Sequence, residues 1–301
     1  MTTILYSLVP DPSGARERQW VQSAESLRRH NAEIEAMLFL YGTATAETLQ
    51  IAERLRTTVV QMGPYPAALG EMPEHWRSAL ATFPSLHKLI SLRHLAAHRF
   101  GRLLYLDCDT YFLGDVARLL ERHYDRQWFA REEPGSARSH YGYDPGYVDE
   151  ASLASIAHEE GIVPIPPYNT GVFLVDSRLA RTLAELVDDF LWYAWRLLLG
   201  LCLWRPDLLH EPSLSAFVAG HSQGPERRLA LPYPSSNGWI LEQIATWLVL
   251  GRVPGITHGL FAPSDVAQGG EHMETSGYTV AHYYTVGEQA FFVHVGNGGM
   301  H

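Results

Sequence analysis

The chain has 301 residues, of which 46% are hydrophobic, and this composition excludes a generally disordered protein. Acidic residues number 33 against 23 Lys and Arg, which gives a formal net charge of −10, and no basic cluster stands out. A nucleic-acid partner is therefore not expected, because binding to a phosphate backbone calls for a concentrated basic surface.

The first part of the chain alternates between apolar runs of strand type and segments with helical spacing. The predicted strands cover residues 3–8, 36–41, 57–62 and 103–106. The predicted helices cover residues 18–31, 46–56 and 86–98. This β-α-β order predicts an α/β fold with a mostly parallel, doubly wound sheet flanked by helices. The loop after the first strand is neither a GxGxxG turn nor a P-loop, so a Rossmann or Walker nucleotide site is not indicated.

The second part of the chain is less regular. Strands are predicted at 128–131, 168–176 and 290–295, and a long polar excursion is predicted over 132–167. Helices are predicted at 180–204 and 208–219. No linker, repeat or low-complexity tract interrupts the chain, so we expect one domain over residues 1–301.

Two features of the sequence indicate the cellular compartment in which the protein is expected. Cys108 and Cys202 are the two cysteines, and neither has a CxxC partner, so a disulfide framework or a cysteine zinc site is not expected. The N-terminus lacks the basic and long apolar regions of a signal peptide. We therefore expect a cytoplasmic protein.

The most apolar stretch is FLWYAWRLLLGLCLW at 190–204. It spans 15 residues and contains Arg196, so it is too short and too interrupted to cross a bilayer comfortably. A buried or groove-lining helix is favoured. Peripheral contact with the inner face of the membrane stays open as an alternative, because tryptophans and an arginine suit the headgroup boundary.

The feature that points most directly to chemistry is the end of the strand before Asp107. There an apolar run stops at Asp107, Cys108 and Asp109. A strand that ends in carboxylates places them at the sheet edge where open α/β folds bind ligands. Two carboxylates one residue apart can share a hard divalent cation, which usually keeps positions free for phosphate oxygens. This segment therefore predicts a metal and a phosphate-bearing substrate.

The segment RLLYLDCDTYFLGDV at 102–116 resembles the metal-binding signature of GT-A-type glycosyltransferases, the nucleotide-diphospho-sugar transferases. The likeness is strongest to the family of glycogenin and the bacterial lipopolysaccharide glucosyl- and galactosyltransferases. Further similarities follow in the family's order: LHKL at 86–89, YNTGVFL at 168–174, HEPSL at 210–214 and VH at 293–294. The C-terminal end departs from the pattern, because the family's Lys-Pro-Trp after the histidine is missing.

The resemblance implies a GT-A-like single domain, with residues 1–115 as the nucleotide-binding half and 116–301 as the acceptor-binding half. It implies a metal-dependent enzyme that moves a hexose from a nucleotide-sugar donor, expected to be a UDP-sugar, to an acceptor hydroxyl. The acceptor stays open among a glycan, a lipid-linked sugar, a protein and a small molecule. The implied cofactor is Mn²⁺ or Mg²⁺, which would neutralise charge on the departing nucleoside diphosphate.

The resemblance also implies metal ligands. These are Asp107, Asp109 and His294, with Asp107 in addition close to the donor ribose. A histidine at a strand end is not specific by itself, so other histidines remain rivals for the third position: His258, His272, His282 and His301.

Two residues are candidates for catalysis. Glu211 could act as a general base or as a carboxylate beside the sugar, and the alternative is a first-turn glutamate favoured by the helix dipole. Asn169 could bond sugar hydroxyls, and the alternative is turn chemistry at the start of a strand.

Four residues are candidates for contact with the donor. Tyr6 and Ser7 could line the base and ribose pocket, with ordinary strand packing as the alternative. Lys88 could pair with a phosphate or an aspartate, against a solvated helix lysine. Gly171 belongs to the strand that resembles the family's Asn-Ser/Thr-Gly strand.

Two other functions remain open. One is a nucleotidyltransferase, although the loop PDPSGAR at 10–16 is a poor version of that class's Gly-rich basic loop. The other is a non-catalytic module that binds a nucleotide-sugar or carbohydrate on a degenerate transferase fold, since fold does not imply activity.

Overall fold

The computed structural model of the protein describes residues 2–122, 125–132, 148–221, 224–235, 238–261, 265–268 and 292–294. The strands in these ranges are β1 (Thr2–Leu8), β2 (Glu35–Leu40), β3 (Thr57–Gln61), β4 (Arg102–Leu106), β5 (Thr110–Phe112), β6 (Trp128–Glu132), β7 (Tyr168–Asp176), β8 (His258–Leu260), β9 (Val266–Gln268) and β10 (Phe292–His294).

The α-helices in the same ranges lie between and around these strands. They are α1 (Ala15–His30), α2 (Ala46–Arg54), α3 (Tyr65–Ala68), α4 (Glu74–Leu80), α5 (His87–Ile90), α6 (Val116–Arg122), α7 (Glu150–Glu159), α8 (Ser177–Glu185), α9 (Val187–Trp204), α10 (Pro212–His221) and α11 (Leu241–Leu250).

Within the described ranges, the main sheet has seven strands in the order β3-β2-β1-β4-β7-β6-β8. Neighbouring strands pair in parallel except where β7 lies between β4 and β6, so β7 alone runs against the others. A second, three-stranded sheet has the order β5-β10-β9. The predicted mostly parallel sheet is confirmed.

The sheet separates two cores, because side chains alternate between its faces along each strand. Leu5 and Leu103 pack on one face with helices α5, α8, α9 and α11. Ile4 and Leu104, their chain neighbours, pack on the other face with α1 and α2. Helices therefore cover both faces of the sheet, which confirms the doubly wound α/β arrangement in a single domain.

The antiparallel strand β7 brings a distant part of the chain to the end of β4. Leu106 is opposite Val172 in the register, and the Asp107 N–H donates to the carbonyl of Gly171 at 2.7 Å. The first residues of β7 therefore lie at the same sheet edge as the carboxyl end of β4.

The predicted single helix over 180–204 is wrong in one respect, because the chain forms two helices, α8 and α9. The break is at Leu186, whose N–H donates to the carbonyls of Thr182 and Leu183 at 3.1 Å each. Its backbone angles, φ −91° and ψ 9°, end the first helix and begin the second. The predicted helix over 86–98 is likewise a short α5 followed by a 3-10 helix, Ser91–Ala97.

Five of the described helices were not predicted, namely α3, α4, α6, α7 and α11, of which α7 and α11 are the longest. The polar excursion 132–167 contains α7, whose start is capped by the Asp149 carboxylate, which accepts from the N–H groups of Ala151 and Ser152. Helix α11 is buried at every position. A helix that is buried on every side has no apolar stripe opposite a solvent-facing polar one, so its period is not visible in the sequence.

Helix α9 contains the apolar stretch 190–204 and is buried over most of its length. Arg196 donates to the carboxylate of Glu160 at 2.8 Å, which explains how a cation is accommodated there. Trp192 and Trp204 are its large exposed aromatic residues. No helix in the described ranges combines the length and apolarity needed to cross a membrane.

Candidate functional site

The two aspartates of the predicted metal site lie directly after β4, at the carboxyl edge of the main sheet. Asp107 and Asp109 are both half-buried, and Thr110, which begins β5, is fully buried. The Thr110 N–H donates to the Asp107 carbonyl at 3.2 Å, which closes a tight turn over the three residues. The turn holds the two carboxylate-bearing residues together at the sheet edge.

A buried lysine lies behind Asp107. Lys88, on α5, places Nζ 2.8 Å from Oδ2 of Asp107 and 3.3 Å from Oε2 of Glu242 on α11. Its side chain is only 9% exposed. Burial disfavours the charged amine, but Asp107 and Glu242 outweigh this effect and hold the pKa of Lys88 above its ordinary value. Lys88 is therefore an ammonium ion shared between two carboxylates.

Glu242 is fixed at both carboxylate oxygens. Oε2 accepts from the Thr170 hydroxyl at 2.8 Å, and Oε1 accepts from the Thr246 hydroxyl at 3.1 Å. Burial raises the pKa of Glu242, and the Lys88 ammonium opposes that rise. The satisfied polar network ties α5, α11 and β7 to the end of β4.

A second chain of hydrogen bonds reaches the other oxygen of Asp107. The Tyr105 hydroxyl donates to Oδ1 of Asp107 at 3.3 Å, and Oγ of Ser7 lies 3.0 Å from that hydroxyl. Ser7 Oγ also bonds Nδ1 of His87 at 2.6 Å. Burial lowers the pKa of His87 to about 3, against the opposing charge of Asp107, so the imidazole is neutral at physiological pH. Asp107 is thus held at both oxygens.

Tyr6 and Ser7 point to opposite faces of β1, as strand alternation requires. Ser7 joins the network at Asp107, as described above. Tyr6 is fully buried in the core under α1, and its hydroxyl accepts from Ser23 at 3.0 Å. Burial raises the pKa of this phenol. The structure brings Ser7 to the aspartates and leaves Tyr6 in the core.

Asn169 and Gly171 lie at the start of β7, beside Asp107. Asn169 is buried, and its Oδ1 accepts from the Gly171 N–H at 2.9 Å. Gly171 contacts Asp107 through its carbonyl. Both residues are therefore at the sheet edge, and the local bond of Asn169 is the turn chemistry that was its alternative interpretation.

Glu211 is not brought to this cluster. It is exposed between a 3-10 helix and α10, and its Oε1 accepts from the Ser213 hydroxyl at 3.0 Å. Helix α10 packs on α4 and α9. The second carboxylate beside Lys88, after that of Asp107, belongs to Glu242, which was not among the residues predicted for the site. The sequence does contain an indication of Glu242, because it is the one glutamate in the mostly apolar run LEQIATWLVL. A charged side chain that is buried in such a run needs a partner.

The third predicted metal ligand can be placed by its backbone. In the small sheet, β10 pairs antiparallel with β5, and His294 is opposite Thr110, the residue after Asp109. Of the rival histidines, His258 lies in β8, where its Nδ1 bonds the Tyr168 hydroxyl. The other rivals lie outside the described residues: His272, His282 and His301.

The donor atoms at this edge suit a hard divalent cation. Asp107 and Asp109 offer carboxylate oxygens, the ligands that Mg²⁺ and Mn²⁺ prefer, and both side chains are partly exposed. Among the side chains that the structure describes, no group of three or more His, Cys, Asp or Glu is arranged to hold a metal. The two aspartates fit the cation, and a complete set requires a further ligand such as His294.

Comparison with known proteins gives matches in structure alone. No family model and no curated protein matches the sequence. The mouse xyloside xylosyltransferase 1 structure matches with a TM-score of 0.50 and 13% identity, over 100% of this chain and 99% of that one. A structure of the galactosyltransferase LgtC with donor and acceptor sugar analogues matches with a TM-score of 0.50 and 13% identity, over 98% and 87% of the two chains.

At this level of identity the likeness concerns the fold. It extends over nearly the whole of this chain and most of both neighbours. The chain therefore has the GT-A-like α/β fold, as its resemblance to that class predicted.

Proposed function

We propose that the protein is a metal-dependent glycosyltransferase that moves a hexose from a nucleotide-sugar donor, in the first place a UDP-sugar, to an acceptor hydroxyl. The observation that carries the proposal is the position of Asp107 and Asp109 at the carboxyl edge of β4 in this fold. The buried ammonium of Lys88 adds to this observation, because it fixes the position of the Asp107 carboxylate at that edge.

In this proposal Asp107, Asp109 and His294 hold Mn²⁺ or Mg²⁺. When bound there, such a cation would neutralise the charge that develops on the departing nucleoside diphosphate. The protein contributes preorganisation: Lys88 and Tyr105 hold the two oxygens of Asp107 before the donor arrives, so little reorganisation is needed during the reaction.

The other residues of the edge have supporting roles. Ser7, Asn169 and Gly171 are buried beside Asp107, and in this proposal they serve the donor site by holding Asp107 in place: Ser7 bonds Tyr105, Asn169 accepts from the Gly171 N–H, and the Gly171 carbonyl accepts from the Asp107 N–H. Glu211 has no reacting role in this proposal, because it is exposed at the start of α10 and contacts Ser213.

Ligand-dependent thermal unfolding tests the proposal. The purified protein is heated with UDP, GDP, CMP or ADP, each with and without Mn²⁺. A ligand that binds only the folded state raises the melting temperature by mass action. We expect a shift for UDP that requires Mn²⁺ and disappears in Asp109→Asn.

Asp115→Asn is the matched control. Asp115 belongs to the same segment, but its carboxylate accepts from the Ala117 N–H at 2.8 Å at the start of α6. Asparagine caps a helix about as well as aspartate, so this variant should keep the shift. A shift for another nucleotide keeps the class and changes the donor. Binding with no transfer to a wide acceptor panel indicates a non-catalytic module, and no shift with any nucleotide contradicts the proposal.

A further inference from the structure

The position of Lys88 raises a problem for any cation that binds at Asp107. Its ammonium lies 2.8 Å from Oδ2 of Asp107, one of the oxygens that a metal would use. Like charges repel strongly at short range in a poorly solvated site. A lysine paired with Asp107 alone would cancel the charge that makes this carboxylate a good metal ligand.

Glu242 removes this difficulty. Its Oε2 lies 3.3 Å from the same ammonium, and its side chain is 2% exposed. The cluster of Asp107, Asp109, Glu242 and Lys88 thus contains one positive charge against three negative charges. Because Lys88 is shared, Asp107 keeps negative charge that a divalent cation can use.

The position of Glu242 is fixed independently of Lys88. The hydroxyls of Thr170 and Thr246 each donate to one of its oxygens, at 2.8 and 3.1 Å. Glu242 is therefore a preset counter-charge, which does not have to move when a cation approaches the sheet edge.

We propose that Glu242 is a positioning residue for the metal site: by binding Lys88 it keeps Asp107 available to a divalent cation. The inference rests on the proposed function, since it assumes that Asp107 contributes to a metal site. A purely structural tie between α11 and the sheet would have no specific effect on metal affinity, and this difference can be measured.

The test is a Mn²⁺ titration of the full chain without nucleotide, followed by the electron paramagnetic resonance signal of free Mn²⁺. In Glu242→Gln, Lys88 retains Asp107 as its remaining carboxylate partner, and we expect Mn²⁺ affinity to fall about tenfold. Thr246→Val is the matched control, because it removes one hydrogen bond to Glu242 without changing its charge. This variant should bind Mn²⁺ within about twofold of wild type.

The double variant Lys88→Met with Glu242→Gln removes one charge of each sign. It should recover most of the lost Mn²⁺ affinity, whereas damage to the fold would not be reversed by a second buried substitution. Circular dichroism establishes that each variant is folded. If Glu242→Gln alone does not fold, Lys88→Met and the double variant carry the test. Because Glu242 acts through Lys88, these two variants must bind Mn²⁺ within about twofold of each other, and a large difference between them overturns the inference.

The outcomes separate the inference from the proposed function. If wild type binds Mn²⁺ and Glu242→Gln binds it equally well, the inference is overturned and the proposed function stands. If Thr246→Val loses as much affinity as Glu242→Gln, the role is structural and the inference is again overturned. If wild type binds no Mn²⁺ and no nucleotide, both are overturned.

Discussion

The starts of α10 and α11 carry the same kind of residue in opposite environments. Glu211, before α10, is exposed and contacts a neighbouring serine. Glu242, in the first turn of α11, is buried against a lysine and two threonines. A glutamate near a helix start is common because the helix dipole favours it. What distinguishes the two is burial with a counter-charge, and this property depends on the tertiary fold.

The sharpest test of this contrast is Lys88→Met, which leaves Glu242 buried without its cation. Removing one partner of a buried ion pair is strongly destabilising, so the free energy of unfolding should fall by about 3–5 kcal/mol. Urea unfolding measures the change. The control is Arg205→Met, which removes the exposed ion pair of Arg205 with Asp207 before α10.

Exposed ion pairs contribute little to stability, so the control should change the urea midpoint only slightly. Equal losses in Lys88→Met and Arg205→Met would show that burial of the Lys88 network contributes nothing to stability, and the contrast would fail.

His87, next to Lys88 on α5, is half-buried and bonds Ser7 in the network around Asp107. Burial lowers the pKa of His87 to about 3, below its value of about 6.5 in an unfolded chain. The unfolded chain therefore takes up the proton first as the pH falls. The stability that this residue contributes is complete above pH 6.5 and is lost progressively as the pH falls towards 3.

The free energy of unfolding should therefore fall by about 2 kcal/mol between pH 7 and pH 5 because of His87. Replacing His87 by Asn, which retains a polar atom near the Nδ1 position, should make the pH dependence of unfolding shallower by about that amount. A wild-type slope in His87→Asn would show that this imidazole is not held neutral by burial.

The sequence was sufficient for the part of the site that lies along one strand. An apolar run that stops at Asp107 and Asp109 predicts both the strand and the carboxylates at its end. Pairing of Lys88 with an aspartate was one of its two expected roles, and the structure shows this pair. These predictions succeed because the signal is local: strand pattern, charge and chain order.

The features that the sequence could not show depend on contacts between distant residues. Glu242 is far from Lys88 in sequence, and α11 has no amphipathic pattern that would mark it as a helix. Tyr6 and Ser7 are neighbours in sequence, but only Ser7 faces the aspartates, and this depends on the faces that α1 and α5 cover. The resemblance of HEPSL at 210–214 to a family motif drew attention to Glu211. Burial beside Lys88, which no motif indicates, distinguishes Glu242.

The smallest expected effect completes the comparison. In Glu211→Gln the side chain retains an oxygen that can accept from the Ser213 hydroxyl, and the position is exposed. The free energy of unfolding should stay within about 0.5 kcal/mol of wild type, and Mn²⁺ and nucleotide binding should not change. The same substitution at Glu242 should lower Mn²⁺ affinity about tenfold. Because both variants replace a carboxylate by an amide near a helix start, any difference between them comes from the surroundings of the two side chains. Loss of transfer activity in Glu211→Gln would contradict this expectation and would show that Glu211 takes part in catalysis.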